Sequence, residues 1–199
     1  LRGFGLKVGT ISKLRFESRI RELAAGQAML ERVVEPVLRV HAVLRGEYAV
    51  LHRTLLAAVR DDQVCRRLMT VPGVGAVVAM TFKSAIDQPE RFQHSKAVGA
   101  HFGLTPRKYQ SGEVDRTGRI SKVGAAAVRA ALYEAANILL TRAARWSSLK
   151  AWAMRVATRQ GMKKAKVALA RKLAVVLHRM WLDGTQFRWG SQAAPEAVA

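Results

Sequence analysis

Between about Lys13 and Asp61, apolar residues recur at steps of three and four: Leu14, Ile20, Leu23/Ala24, Met29/Leu30, Val33/Val34, Val37/Leu38, Leu44, Tyr48, Leu51 and Leu55/Leu56. That spacing draws an apolar stripe along a helix and is incompatible with a strand, whose faces alternate at every residue. No segment elsewhere holds a period of two for long, so the fold class is mainly α. Pro36 is the one strong interruption of the long stretch. A proline inside a helix removes a hydrogen bond and crowds the preceding turn, so a kink or a restart is expected there. Opposite charges interleave along the same stretch (Glu17/Arg21, Glu31/Arg32/Glu35/Arg39), which suits a solvated helix or a coiled-coil-like arm. Two readings stand side by side: a helical hairpin that packs on the rest of the chain, or an arm that dimerises or binds a partner.

The remainder divides into shorter pieces. Residues 1–12 are glycine-rich and read as a loop entering the first helix. Residues 66–105 read as helix, tight turn, helix, and then a short helix from Glu90 that stops at Gly103 with Pro106 just beyond. Residues 105–124 read as an irregular, polar, basic loop. Residues 125–145 are alanine-rich and strongly helical, and two more helices follow over 148–160 and 162–182. The expected organisation is a helical linker or coiled-coil arm over 1–65, a helical domain over 66–189, and a fraying tail over 190–199.

Charge narrows the choice of partner. The 199 residues carry 34 Lys+Arg against 14 Asp+Glu, a net charge of +20. Most of it sits in residues 91–189, with 20 basic and 4 acidic side chains, while the first 90 residues are much closer to balance. Such a surface implies a polyanion partner. Half the residues are apolar, enough to build a core. The single cysteine, Cys65, excludes a disulfide framework and a cysteine-based metal cluster and suits a reducing compartment. The longest uncharged stretch, Leu68 to Phe82, is too short and too broken by Pro72 and two glycines to span a membrane. No charged segment leads into an apolar one at the start, so no secretory signal is expected. A first residue Leu1 in place of Met is what a fragment or a trimmed frame would show.

Three segments could carry chemistry. Val71-Pro72-Gly73-Val74-Gly75, between two apolar helical stretches, has the helix-hairpin-helix pattern. Gly73 and Gly75 would let the backbone approach a phosphate that faces the N–H groups opening the next helix. The plainer alternative is a tight helix–helix turn with no ligand. The second segment, Arg107-Lys108-Tyr109-Gln110-Ser111-Gly112, continues through Arg116, Arg119 and Lys122. Cations around a Ser-Gly step could hold a phosphodiester and offset the charge that develops as a hydroxyl attacks it. By composition alone, Ser-Gly is an ordinary turn, and Tyr109 is a rival nucleophile or a base-stacking residue. The third is the basic run Arg155, Arg159, Lys163, Lys164, Lys166, Arg171 and Lys172, with Trp146, Trp152, Trp181 and Trp189 interspersed. It reads either as a nucleic-acid track or as a solvated face over a core to which the tryptophans belong. No acidic cluster, paired histidines or G-x-x-x-x-G-K-[ST] loop is present, so no metal site is expected in this chain.

Taken in order, these motifs resemble a known family. Leu68 to Gly75, Arg91-Phe92, Ala97 to Pro106, Tyr109 to Glu113, Gly118-Arg119-Ile120-Ser121-Lys122 with Gly124, and Arg129 to Tyr133 together resemble the C-terminal transposase domain of the IS110/IS116/IS902 insertion-sequence family. The match runs over about residues 66–145, and residues 1–65 are similar to that family's coiled-coil linker. The resemblance implies a DNA transposase or recombinase. Its members pair an N-terminal RuvC-like domain, which carries acidic residues and Mg²⁺, with a domain of this kind, and a bridge RNA selects the sites. It implies that Ser111 becomes covalently linked to DNA, and it makes Arg107, Lys108, Arg116, Arg119, Lys122 and Arg129 candidates for phosphate or RNA contact, beside Gly73 and Gly75. It also implies a homo-oligomer working on DNA in the bacterial cytoplasm at the nucleoid, with no membrane. The RuvC-like domain is not among these residues, so the chain resembles the C-terminal part of a member, one expected to be inactive alone. The family's Asn after Gly124 is replaced by Ala125. The alternative function is a non-catalytic nucleic-acid-binding remnant.

Overall fold

The computed structural model describes residues 1–111 and 114–190. The chain divides into two compact units, Leu1–Thr54 and Leu55–Ala199.

In the first unit, a short 3-10 turn (Arg2–Phe4) precedes α1 (Phe16–Ala24) and the 34-residue α2 (Ala28–Asp61), whose last two turns belong to the second unit. α1 and the start of α2 form a helical hairpin. Ile20, Ala24, Leu30 and Leu38 are buried between them. Arg21 reaches Glu35 through two hydrogen bonds of 3.0 and 3.2 Å, and Glu17 accepts from Arg45 and contacts His41. The expected restart at Pro36 does not occur: α2 runs through it. Leu30 and Leu38 are buried on either side of the proline and Glu35 is tied to Arg21, so packing on α1 offsets the lost hydrogen bond. The break falls instead at residues 25–27, where the Gly26 amide donates to Glu31.

The second unit contains the main core. After α3 (Gln63–Leu68) and α4 (Ala76–Ile86), a 3-10 turn (Pro89–Arg91) leads into α5 (Ser95–His101). Strands β1 (Pro106–Ser111) and β2 (Val114–Ile120) follow, then α6 (Ala126–Thr141), α7 (Ser148–Gln160) and α8 (Met162–Asp183). α8 packs on α3, α5, α6, α7 and the Pro89–Arg91 turn. Its sequence explains that centrality. Ala165, Leu169, Leu173 and Leu177 form one i,i+4 row, and Ala170, Ala174 and His178 form the next, all of them buried. Small residues recur where the helices meet, as at Ala135 and Ala136 of α6. The protein is mainly α, with one two-stranded sheet among the described residues. No helix among the described residues is long and apolar enough to cross a membrane.

Candidate nucleic-acid interface

Within residues 105–124, expected as an irregular loop, strands β1 and β2 pair antiparallel. Lys108 pairs with Thr117, Tyr109 with Arg116, Gln110 with Asp115 and Ser111 with Val114, and the register shifts between Pro106 and Lys108. Ser111 is the exposed last residue of β1. Side chains on one face of a strand are two residues apart, so position 109, its partner Arg116 and Ser111 share a face. Arg116 is exposed as well and is a diagonal neighbour of Ser111. Lys108 lies on the opposite face. Arg107 sits about 13 Å from Ser111 along the strand, and its guanidinium donates to the Ser121 carbonyl at the hairpin's base. Thus the structure brings Ser111 and Arg116 together, leaves Lys108 along the strand, and gathers Arg107, Arg119 and Lys122 at the base. Gly112 and Glu113 lie outside the described residues, as do the side chains of Tyr109, Gln110, Val114, Asp115 and Thr117.

The base of the hairpin is held tightly. The Ser121 amide donates to the Thr105 carbonyl and the Lys122 amide to that of Gly103. Gly103 has φ +65°, and a Cβ there would fall on the backbone of Val123. Lys122 itself has φ +58°, a left-handed conformation uncommon for a lysine. Nη1 of Arg129 donates to the carbonyls of Phe102, Val123 and Gly124 at 3.3, 3.0 and 2.9 Å. Arg129 therefore clamps the end of α5 to the start of α6, and Ile120 packs into the core beside it. Ala125, at the N-cap of α6, makes no side-chain capping bond.

The turn between α3 and α4 gives its two glycines different surroundings. Gly73 has φ +88°, and a Cβ there would strike the Ala135 carbonyl oxygen of α6. This glycine lets the turn pack closely on α6. Gly75 has ordinary extended backbone, opens α4 without a side-chain cap, and has open space around it. Its neighbourhood is the part of the turn that an anion could approach. Behind the turn, Asp62 caps α3 by accepting from the Cys65 amide at 2.8 Å and pairs with Lys83. Burial opposes ionisation of Asp62, but Lys83 and the Cys65 amide outweigh it and hold the carboxyl below its ordinary range. Burial pushes the Cys65 thiol up to about 11, with the Asp62 charge adding to the effect, so Cys65 is a packing residue.

The C-terminal helices correct one expectation and add a residue the sequence did not suggest. The tryptophans are not fully buried. Trp152 and Trp181 are half-buried against the core, and Trp146 is 60% exposed. Cations lie over three of the four rings: Lys172 on Trp152 at 4.1 Å, Arg145 on Trp189 at 4.3 Å and Lys150 on Trp146 at 5.5 Å. His178, fully buried, joins segments more than 80 residues apart. Its Nε2 meets the Pro89 carbonyl at 2.9 Å and its Nδ1 the Ser95 hydroxyl at 3.0 Å. A carbonyl only accepts, so Nε2 carries the hydrogen. Among the described residues, no three His, Cys, Asp or Glu come together to hold a metal ion.

Comparison with known proteins converges on the same segment. Residues 65–152 match the family described as transposase IS116/IS110/IS902. The y4pF/y4sB protein of Sinorhizobium fredii is 28% identical over 197 residues, 94% of this chain and 51% of that protein. The transposase for insertion sequence element IS1111A of Coxiella burnetii is 30% identical over 147 residues, 73% of this chain and 40% of its own. The transposase for IS1328 of Yersinia enterocolitica is 30% identical over 138 residues, 69% and 41%. The chain thus spans about half the length, or less, of the curated relatives it matches.

Proposed function

Because the chain belongs, through residues 65–152, to the IS116/IS110/IS902 family of transposases, we propose that it supplies the serine nucleophile of DNA transposition. Ser111 Oγ bonds to the phosphorus of a DNA phosphodiester and the P–O3′ bond breaks. The departing 3′ oxygen takes up a proton equivalent to the one the serine gives up. The DNA is left joined to Ser111 through its phosphate, and a 3′-hydroxyl is free for exchange. The observation that carries this reading is the position of Ser111: exposed at the far end of a basic hairpin, with Arg116 on the same face. A cation placed there offsets the charge on the phosphoryl oxygens as the bond forms. Lys108 on the strand, Arg107, Arg119 and Lys122 at the base, and the open turn at Gly75 would hold neighbouring phosphates of DNA or of a bridge RNA.

In this reading the enzyme works in the bacterial cytoplasm on nucleoid DNA. A second copy packs on the apolar stripe of α2, where Val33, Val37, Val40, Leu44, Tyr48 and Leu51 are all exposed. Mg²⁺ belongs to an acidic RuvC-like domain, and the described residues here gather no ligand set for it. The test uses the enzyme supplied with such a domain, its RNA and end-labelled DNA. Label should survive denaturation on the peptide that contains Ser111, and Ser111→Ala should abolish both adduct and strand exchange. Undiminished exchange by Ser111→Ala would refute the role.

A further inference from the structure

A basic concave surface lies on the C-terminal helices. α7, α8 and the extended segment 185–188 enclose a groove of about 710 Å³, within the roughly 300–1,000 Å³ of pockets that hold small ligands. Trp152 and Phe187 supply apolar wall, and Arg155, Lys172, Arg179 and Arg188 bring charge to it. Arg179 is paired with Asp183, which also lines the groove, at 3.2 Å. Arg155, Lys172 and Arg188 have no ion-pair partner among the described residues. Desolvation and the nearby Arg155 charge hold the Lys172 ammonium below its ordinary value. An arriving anion would relieve that repulsion.

We propose that this groove binds a single strand of nucleic acid, its phosphates on Arg155, Lys172 and Arg188 and its sugars and bases against Trp152 and Phe187. Cations beside aromatic rings in one concave surface are what sequence-tolerant single-strand binding requires, because every base has a face to stack and every nucleotide a phosphate. A groove of this kind favours a strand over a duplex, since the bases must be free to enter. The inference uses no property of Ser111, so it stands or falls separately from the nucleophile.

The test measures binding of a short labelled strand, as RNA and as DNA of the same sequence, to the whole chain between about 50 and about 200 mM salt. Arg155→Gln combined with Lys172→Gln should weaken binding about tenfold or more and reduce the salt slope by about 1.4, at about 0.7 per lost phosphate contact. Arg159→Gln combined with Lys163→Gln removes equal charge from the same two helices outside the groove and should leave both quantities nearly unchanged. Circular dichroism and the melting temperature report whether each variant is folded. Tighter RNA binding would show that the 2′-hydroxyl is also read, and equal affinities that phosphate and base suffice. Both results support the groove. Equal losses in the two double variants would reduce the effect to overall charge and overturn the proposal. So would displacement of the strand by poly-glutamate as effectively as by unlabelled strand, which would make the partner an acidic protein.

Discussion

The first unit pairs three of its five glutamates with cations and exposes an apolar stripe, whereas the second buries most of its apolar residues and leaves most of its cations in solvent. In residues 1–54, Arg19, Arg21, His41 and Arg45 all meet glutamates. Yet Val33, Val37, Val40, Leu44, Tyr48 and Leu51 of α2 stand between 59% and 68% exposed. Their steps of four, three, four, four and three average 3.6, the period of an α-helix, so the stripe runs straight along one face. In the second unit most large apolar residues are packed inside, with Val123 and Trp146 the most exposed exceptions. Only Lys83–Asp62 and Arg179–Asp183 are ion pairs among its described residues, and most of its many arginines and lysines face solvent. One unit thus presents apolar area to solvent, the other charge. The net charge of the chain, taken whole, conceals this division.

Four measurements probe that contrast, in falling order of effect. Val40→Glu with Leu44→Glu should abolish self-association in sedimentation, because two unpaired charges would enter an apolar seam. The same pair of changes should leave nucleic-acid affinity intact. If instead the hairpin or groove variants dissociate the chain, the division of labour is wrong. Gly73→Ala should destabilise the second unit by about 3 kcal/mol or more, since a Cβ there meets backbone and the left-handed φ penalises alanine. Denaturant unfolding would register that loss. Arg129→Met should cost about 2–3 kcal/mol through three deserted carbonyls. It should also raise amide exchange at the hairpin base while sparing α1. Asp62→Asn should cost about 1 kcal/mol at neutral pH. The folded Asp62 carboxyl lies below its ordinary 3.8, so its contribution is full above about pH 4 and vanishes as pH falls through the folded value. The two melting temperatures should therefore converge on acidification.

The helices were legible in the sequence because each has a stripe of apolar or alanine residues, as over 126–141 and 162–183. The hairpin was not. Pro106 to Ile120 is polar on both faces, so no alternation marks it, and its pairing rests on backbone hydrogen bonds and on the packed base around Gly103 and Arg129. Pro36 drew attention as a breaker because proline's local cost is visible in sequence, whereas Leu30 and Leu38 packing on α1 is not. The signal at residues 25–27 was fainter: a glycine with a glutamate five residues on. For the candidate site, the residue types around Ser111 were readable, but their arrangement was not. Register alone put Arg116 on the Ser111 face and Lys108 on the other. The basic run with Trp152 was readable as a possible nucleic-acid track, but the groove that joins it to Phe187 and Arg188 was not, because half-burial under a lysine or arginine has no signature in composition.

The bolt formed by His178 also sets an order of events. Its partners, Pro89 and Ser95, precede it by 89 and 83 residues, and α8 is the element on which α3, α5, α6 and α7 all pack. During synthesis the faces of those earlier helices that meet α8 must wait for it, because α8 is made after all of them. Closing so long a loop is slow compared with forming local turns. A chain that stopped short of α8 would leave α3, α5, α6 and α7 without the element on which they all pack. The packing of the second unit thus stays incomplete until α8 is present, although α4 already contacts α3 and α6 without it.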